Sequence, residues 1–190
     1  MKAAGIALMI ALALALQTSL ARFLTPGANL IDLVSVAVVY VALTGGPAAG
    51  LIAGAVAGLA QDALGATGTS MVAVGSGVAT ARSIIGVGGL AKTVVGFVAG
   101  VVGSQFIVAR PLPRAFVFFT ATAAHAIIFV GLYRVLDPSQ PATTFGSVFR
   151  QAGANALVGV LIFQIADSLP GFVDRRRSMG GGMRINRRLD

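Results

Sequence analysis

The stretch "GGPAAGLIAGAVAGLAQD", residues 45–62, spaces Gly46, Gly50, Gly54 and Gly58 four positions apart, and the next step of four lands on Asp62. In a water-exposed helix each glycine costs about 1 kcal/mol relative to alanine. In lipid the hydrophobic effect no longer drives helices together, and small residues let two backbones approach for van der Waals contact. The stretch therefore reads as a packing face with a carboxylate at its end. Its neighbour is either another helix of this chain or the helix of a partner, and spacing alone does not choose.

Composition supports the lipid reading. Of 190 residues, 56% are hydrophobic and only 11% are charged, and the mean hydropathy is +0.90. A soluble domain needs roughly a quarter of its residues charged. With no cysteine, one histidine and six acidic residues, all aspartates, the chain has few metal ligands and few acid pairs. The net charge of +8 comes mostly from arginines outside the apolar runs. In a membrane protein such a bias reports orientation and lipid contact rather than nucleic acid.

A helix crossing the bilayer needs roughly 20 apolar residues. Proline, glycine and turn residues divide the chain into six such segments at 3–24, 29–44, 47–64, 86–108, 114–136 and 147–168. The first also has a signal-peptide make-up, with Lys2 before an apolar core and "SLA" before Arg22, and is read as a retained span. Residues 65–85, apolar but broken by Gly75 and Gly77, are expected to form a re-entrant or interfacial insertion, with a seventh crossing as the rival. Residues 174–190 form a basic tail in which Arg175, Arg176 and Arg177 anchor topology and touch anionic lipid. Lys2, Arg110, Arg114 and the tail arginines share one side of the six-span layout. Arg22, Arg82, Lys92, Arg134 and Arg150 lie near the other, which puts both termini in the cytoplasm.

Few residues suggest chemistry. "GVGGLAKT" (86–93) lacks one glycine of a phosphate-binding loop, because Ala91 stands in its place, and it also matches the G-x-G-x-x-A of dinucleotide-binding turns. Its flanks are membrane-like, so chance explains the match better than a nucleotide does. Asp62 reads as an interfacial or capping carboxylate, paired with Arg82 or Lys92, with partner recognition and proton coupling as alternatives; Asp32 is weighed the same way. Gln17, His125 and Asn155 sit within spans as interhelical hydrogen-bonding groups. Alanines 3, 7, 11 and 15, and then Gly96, Gly100 and Ser104, repeat the small-residue spacing in spans one and four. No nucleophile–base pair is legible, and neither catalytic, cofactor nor metal residues are expected.

The ordered pattern resembles a family. Residues 29–64, "NLIDLVSVAVVYVALTGGPAAGLIAGAVAGLAQDAL", run a span with Asp32 and Tyr40 into a glycine-rich span ending at Asp62. "IGVGGLAKTVVGFVAG" (85–100) and "RQAGANALVG" (150–159) follow, the second with Asn155 at a position where asparagine is frequent in the family. Together they are similar to the bacterial rod shape-determining protein MreD family, over roughly residues 3–170. Residues 65–84 and the tail beyond Val173 depart from the pattern, and nothing is carried over to them.

The resemblance implies an all-α polytopic membrane protein of six transmembrane helices, related in fold to substrate-binding subunits of energy-coupling-factor transporters. It implies a non-catalytic scaffold of the cell-elongation complex in the cytoplasmic membrane. The implied partners are MreC, then RodA with its penicillin-binding transpeptidase, and MreB. On that reading Gly46, Gly50, Gly54, Gly58 and Asp62 form the groove for a partner helix. The alternative is a substrate-binding subunit of a vitamin-type transporter.

Overall fold

A thirteen-residue helix with hardly a polar side chain forms the axis of the molecule. The computed structural model describes residues 3–23, 31–66, 70–74, 77–81, 85–106, 110–136 and 145–168. In chain order these form α1 (Ala3–Phe23), α2 (Leu33–Gly45), α3 (Pro47–Ala66), strands β1 (Ser70–Val74) and β2 (Gly77–Ala81), α4 (Val87–Gln105), α5 (Pro111–Leu136) and α6 (Phe145–Ser168). The axial helix is α2, which touches each of the other five. Every residue from Val34 to Ala42 is buried, as expected of a helix that is apolar all round.

Among the described residues, four helices are long and apolar enough to cross a membrane: Pro47–Leu64 within α3, then α4, α5 and α6. The apolar stretches of α1 (Ala4–Ser19) and α2 are shorter. At 1.5 Å per residue α2 is about 20 Å long, less than the roughly 30 Å hydrocarbon thickness. Its sheath of neighbouring helices spares it from facing lipid at full depth.

The ends of the helices differ from expectation where capping chemistry overrides hydropathy. α2 begins at Leu33 rather than at 29, because Asp32 caps it and accepts a hydrogen bond from the Ser35 N–H at 3.0 Å. α5 begins at Pro111 rather than at 114. Prolines 111 and 113 lie in its first turn, where a missing N–H leaves no intrahelical bond unmade. Arg114, the first residue of the expected span, thereby sits one turn inside the helix.

The insertion between α3 and α4 contains strands. β1 pairs antiparallel with β2, from Ser70 opposite Ala81 to Val74 opposite Gly77. Five-residue strands are too short for a crossing, since a membrane-spanning strand needs about 9–11 residues. A seventh span is therefore not formed by these residues, and the helical bundle carries one small antiparallel pair in addition.

α3 and α4 make the most extensive helix contact in the molecule. A Cβ added at Gly50 would strike the carbonyl of Gly96, and one at Gly54 the carbonyl of Lys92. One at Gly58 would lie 2.5 Å from the Cα of Gly89, and one at Gly100 would meet the backbone of Gly46 and Pro47. Two small-residue faces thus interlock backbone to backbone. On the far side of α2, the Phe118 ring of α5 seats against Gly159 of α6, joining Tyr40 and Phe163 in a buried aromatic group.

Candidate functional site

In hydrocarbon the free N–H groups at a helix start cannot turn to water and must find partners in the protein. The start of α2 recruits two other helices to do so. The Asp32 N–H donates to Asn155 Oδ1 of α6 at 2.9 Å, and the Leu33 N–H donates to Gln17 Oε1 of α1 at 2.9 Å. Gln17 Nε2 donates back to the Ile31 carbonyl at 3.2 Å, and Asn155 Nδ2 donates to Thr122 Oγ1 of α5 at 3.3 Å. Ser35 Oγ donates to Asp32 Oδ2 at 2.6 Å. Gln17 and Asn155 are thus both spent on one helix terminus.

The charge on Asp32 is met from α4. Lys92 Nζ lies 3.1 Å from Asp32 Oδ2, the two side chains being 5% and 9% exposed. Lys92 Nζ also lies 3.0 Å from His125 Nε2 of α5. A protonated lysine has no lone pair, so it donates and Nε2 accepts, which puts the ring proton of a neutral His125 on Nδ1. The imidazole stacks on Phe129 at 5.9 Å between centroids. Asp32, Lys92 and His125 come from three helices and join one chain of polar contacts, buried at Asp32 and Lys92 and part-buried at His125.

This chain borders a cavity of about 460 Å³ lined by polar and apolar residues of all six helices (Asp32 as the cap of α2), among them Gln17, Asp32, Gln61, Asp62, Lys92 and His125. It lies where α2, α4 and α6 begin and α1 and α3 end, so it opens at the end of the bundle opposite Ala3 and Ser168. Gln61 Oε1 is buried there without a hydrogen-bond donor. A second cavity, about 670 Å³, lies between α4 and α5 and is lined by Val94, Val98, Phe106, Phe116, Ile128 and similar residues.

Asp62 caps α4. Its Oδ2 accepts from the Gly86 N–H at 2.9 Å and the Gly89 N–H at 3.1 Å. Gly86 holds a left-handed φ of 104°, and a Cβ at Gly88 would collide with Asp62 Oδ1. The "GVGGLAKT" run therefore does cradle an anion at a helix start, but the anion is the chain's own carboxylate. The expected pairing of Asp62 with Lys92 is not formed, because Lys92 points to Asp32.

The partner groove built from Gly46, Gly50, Gly54, Gly58 and Asp62 is likewise corrected. Gly50, Gly54 and Gly58 are covered by α4 of the same chain, and Gly46 ends α2 at φ 85° with nothing near its missing Cβ. A second small-residue face on α4 claims the first, and Asp62 serves the junction between them.

Two basic residues counted toward the orientation bias are interior. Besides Lys92, Arg114 is 5% exposed, donates from Nη1 to Asp167 Oδ2 at 2.7 Å and lies 4.4 Å above the Phe163 ring. Each is neutralised within the bundle and carries no vote on orientation. One is removed from each side, so the sign of the bias stands. Arg175, Arg176, Arg177 and the rest of the 174–190 tail lie outside the described residues, as does part of 65–85.

Among the described residues no group of three or more histidine, cysteine or acidic side chains gathers as a metal site. Compared with protein-family models, curated proteins and solved structures, the chain has no match. The site's reading therefore rests on its own geometry. The sequence reading missed the convergence on Lys92, and also Arg114, Asp167 and Gln61. An ionisable residue inside an apolar run is by default paired or functional, and Lys92 carried that signal.

Proposed function

We propose that this chain is a non-catalytic membrane scaffold of the MreD kind, which seats the transmembrane helix of an MreC-like partner and supports a peptidoglycan-synthesis complex. The observation that carries this reading is the apolar groove of about 670 Å³ between α4 and α5. Its walls include Val94, Val98, Phe106 and Phe116, all exposed. A groove with almost no polar lining suits an apolar helix, which brings few unmet hydrogen-bonding groups into it. The resemblance of residues 29–64 supplies the partner's identity.

On this reading the six helices all lie in the cytoplasmic membrane of a bacterium, with both termini in the cytoplasm. The Asp32–Lys92–His125 chain then fixes helix register rather than turning over a substrate. RodA, its transpeptidase and MreB belong to the same complex through that partner.

The test is recovery of MreC with tagged protein from native membranes. Val98→Trp and Thr120→Trp fill the groove from exposed positions of α4 and α5. Both are expected to reduce MreC recovery, while Leu12→Trp on the exposed face of α1 leaves it unchanged. Undiminished recovery from both groove variants, inserted at normal levels, rejects the groove.

A further inference from the structure

The 460 Å³ cavity at the end of the bundle is bordered by an acceptor that no donor meets. Gln61 Oε1, on α3, is buried and receives no hydrogen bond. A buried polar atom left unmet costs stability, so a native structure that keeps one has a use for it or a missing partner. Two carboxylates, Asp32 and Asp62, line the cavity with one ammonium, Lys92. That ammonium is engaged by Asp32 Oδ2 at 3.1 Å and His125 Nε2 at 3.0 Å. The start of α4 offsets about half a charge on Asp62, which leaves the cavity net negative. Phe129 adds an aromatic ring to the lining, beside Val130 and Val148.

We propose that this cavity binds a primary ammonium group, whose N–H donors satisfy Gln61 Oε1 while its charge faces Asp62 and its carbon chain lies along Phe129. An orphan acceptor, an under-compensated carboxylate and an aromatic wall together select a cation with N–H donors over an anion. A volume of this size suits a small molecule or a lipid headgroup. The bundle end gives access to both solvent and the lipid interface. The amine thus comes either from a phospholipid headgroup or from a free solute, and one chemistry serves both. The assignment is independent of the partner-helix groove, which lies between other faces of α4 and α5.

The experiment uses the full chain in nanodiscs of phosphatidylcholine alone or of equal parts phosphatidylcholine and phosphatidylethanolamine. These lipids share a phosphate but differ in N–H donors. Native mass spectrometry of the released protein is expected to show retained phosphatidylethanolamine. Gln61→Leu is expected to weaken retention about tenfold, the effect of one lost charge-assisted hydrogen bond. In phosphatidylcholine discs the same variant is expected to melt no lower than the parent, since leucine removes an acceptor that had no donor.

Gln61→Glu keeps the acceptor, adds charge and is expected to retain more of the amine, which covers the case of a leucine variant that does not fold. Added ethanolamine in phosphatidylcholine discs separates the sources. Gln61-dependent stabilisation by the free amine identifies a solute site, and retention of the lipid alone identifies a headgroup site. Equal retention of both lipids with no response to ethanolamine, or indifference to both Gln61 substitutions, overturns the proposal and leaves a water-filled vestibule. MreC recovery from the same variants reads the groove separately.

Discussion

Asp32 Oδ2 and Lys92 Nζ stand 3.1 Å apart, one at the first turn of α2 and the other inside α4, and neither side chain reaches solvent to any extent. The pair ties the axial helix to the helix that locks onto α3. His125 extends it to α5, and Asn155, through the Asp32 N–H, extends it to α6. A charge pair buried this deeply gains little over an apolar substitute, yet it is costly to break. Its value lies in register, because only one alignment of α2 and α4 brings the two charges together.

Removing one member should show that asymmetry. Lys92→Met strands a buried carboxylate and is expected to lower unfolding stability by about 3–5 kcal/mol. Asp32→Asn combined with Lys92→Met keeps the cap and removes both charges, and it should recover most of that loss. Arg114→Met is expected to cost less than Lys92→Met, because its partner Asp167 is 39% exposed and can be hydrated when left alone. Denaturant titration in mild detergent measures all three. A double variant no more stable than Lys92→Met would contradict the pairing.

The glycine faces make a sharper contrast. Gly54→Ala drives a methyl group into the Lys92 carbonyl and the Thr93 Cα, atoms that can move only with the backbone. It is expected to cost about 1–3 kcal/mol, as overpacking does, and to shift Lys92 off Asp32. Gly131→Ala on α5 meets nothing within 4 Å and should be neutral. Thermal unfolding of the two variants side by side decides the matter. Equal melting temperatures would mean that α3 and α4 do not interlock.

Much of this arrangement was legible in the residues, and the failures have physical causes. Proline and glycine marked the helix breaks, and the polar side chains within spans marked contacts between helices. What spacing could not reveal was which surface each stripe meets. The Gly50–Gly58 face is equally suited to a helix of its own chain and to a foreign one. The complementary face at Gly96 and Gly100 was the clue that the chain supplies both halves. Lys92 and Arg114 stand near the starts of their spans and so count toward the charge on either side, whereas helix starts with glycine or proline in the first turn carry basic residues into the bundle. The strand pair was foreshadowed by "SMVAV" and "GVATA" around Gly75 and Ser76, a pattern masked by the overall hydropathy.

Asp62 joins the end of α3 to the start of α4 by two backbone hydrogen bonds, so its loss should be felt first as local fraying. Asp62→Ala removes both acceptors and the charge that faces the positive end of α4, a change worth about 1–2 kcal/mol. Asp62→Asn keeps one carbonyl acceptor and should cost roughly half as much. Amide hydrogen exchange in nanodiscs gives the local reading. Faster exchange is expected at Gly86 and Gly89 in both variants, with the amides at the far end of α4, near Ser104, unchanged. The distinction matters because Gly88, which packs under the same carboxylate, leaves no room for another anion. Were Asp62 instead a contact for a partner, its removal would leave these amides protected and would show only in partner recovery.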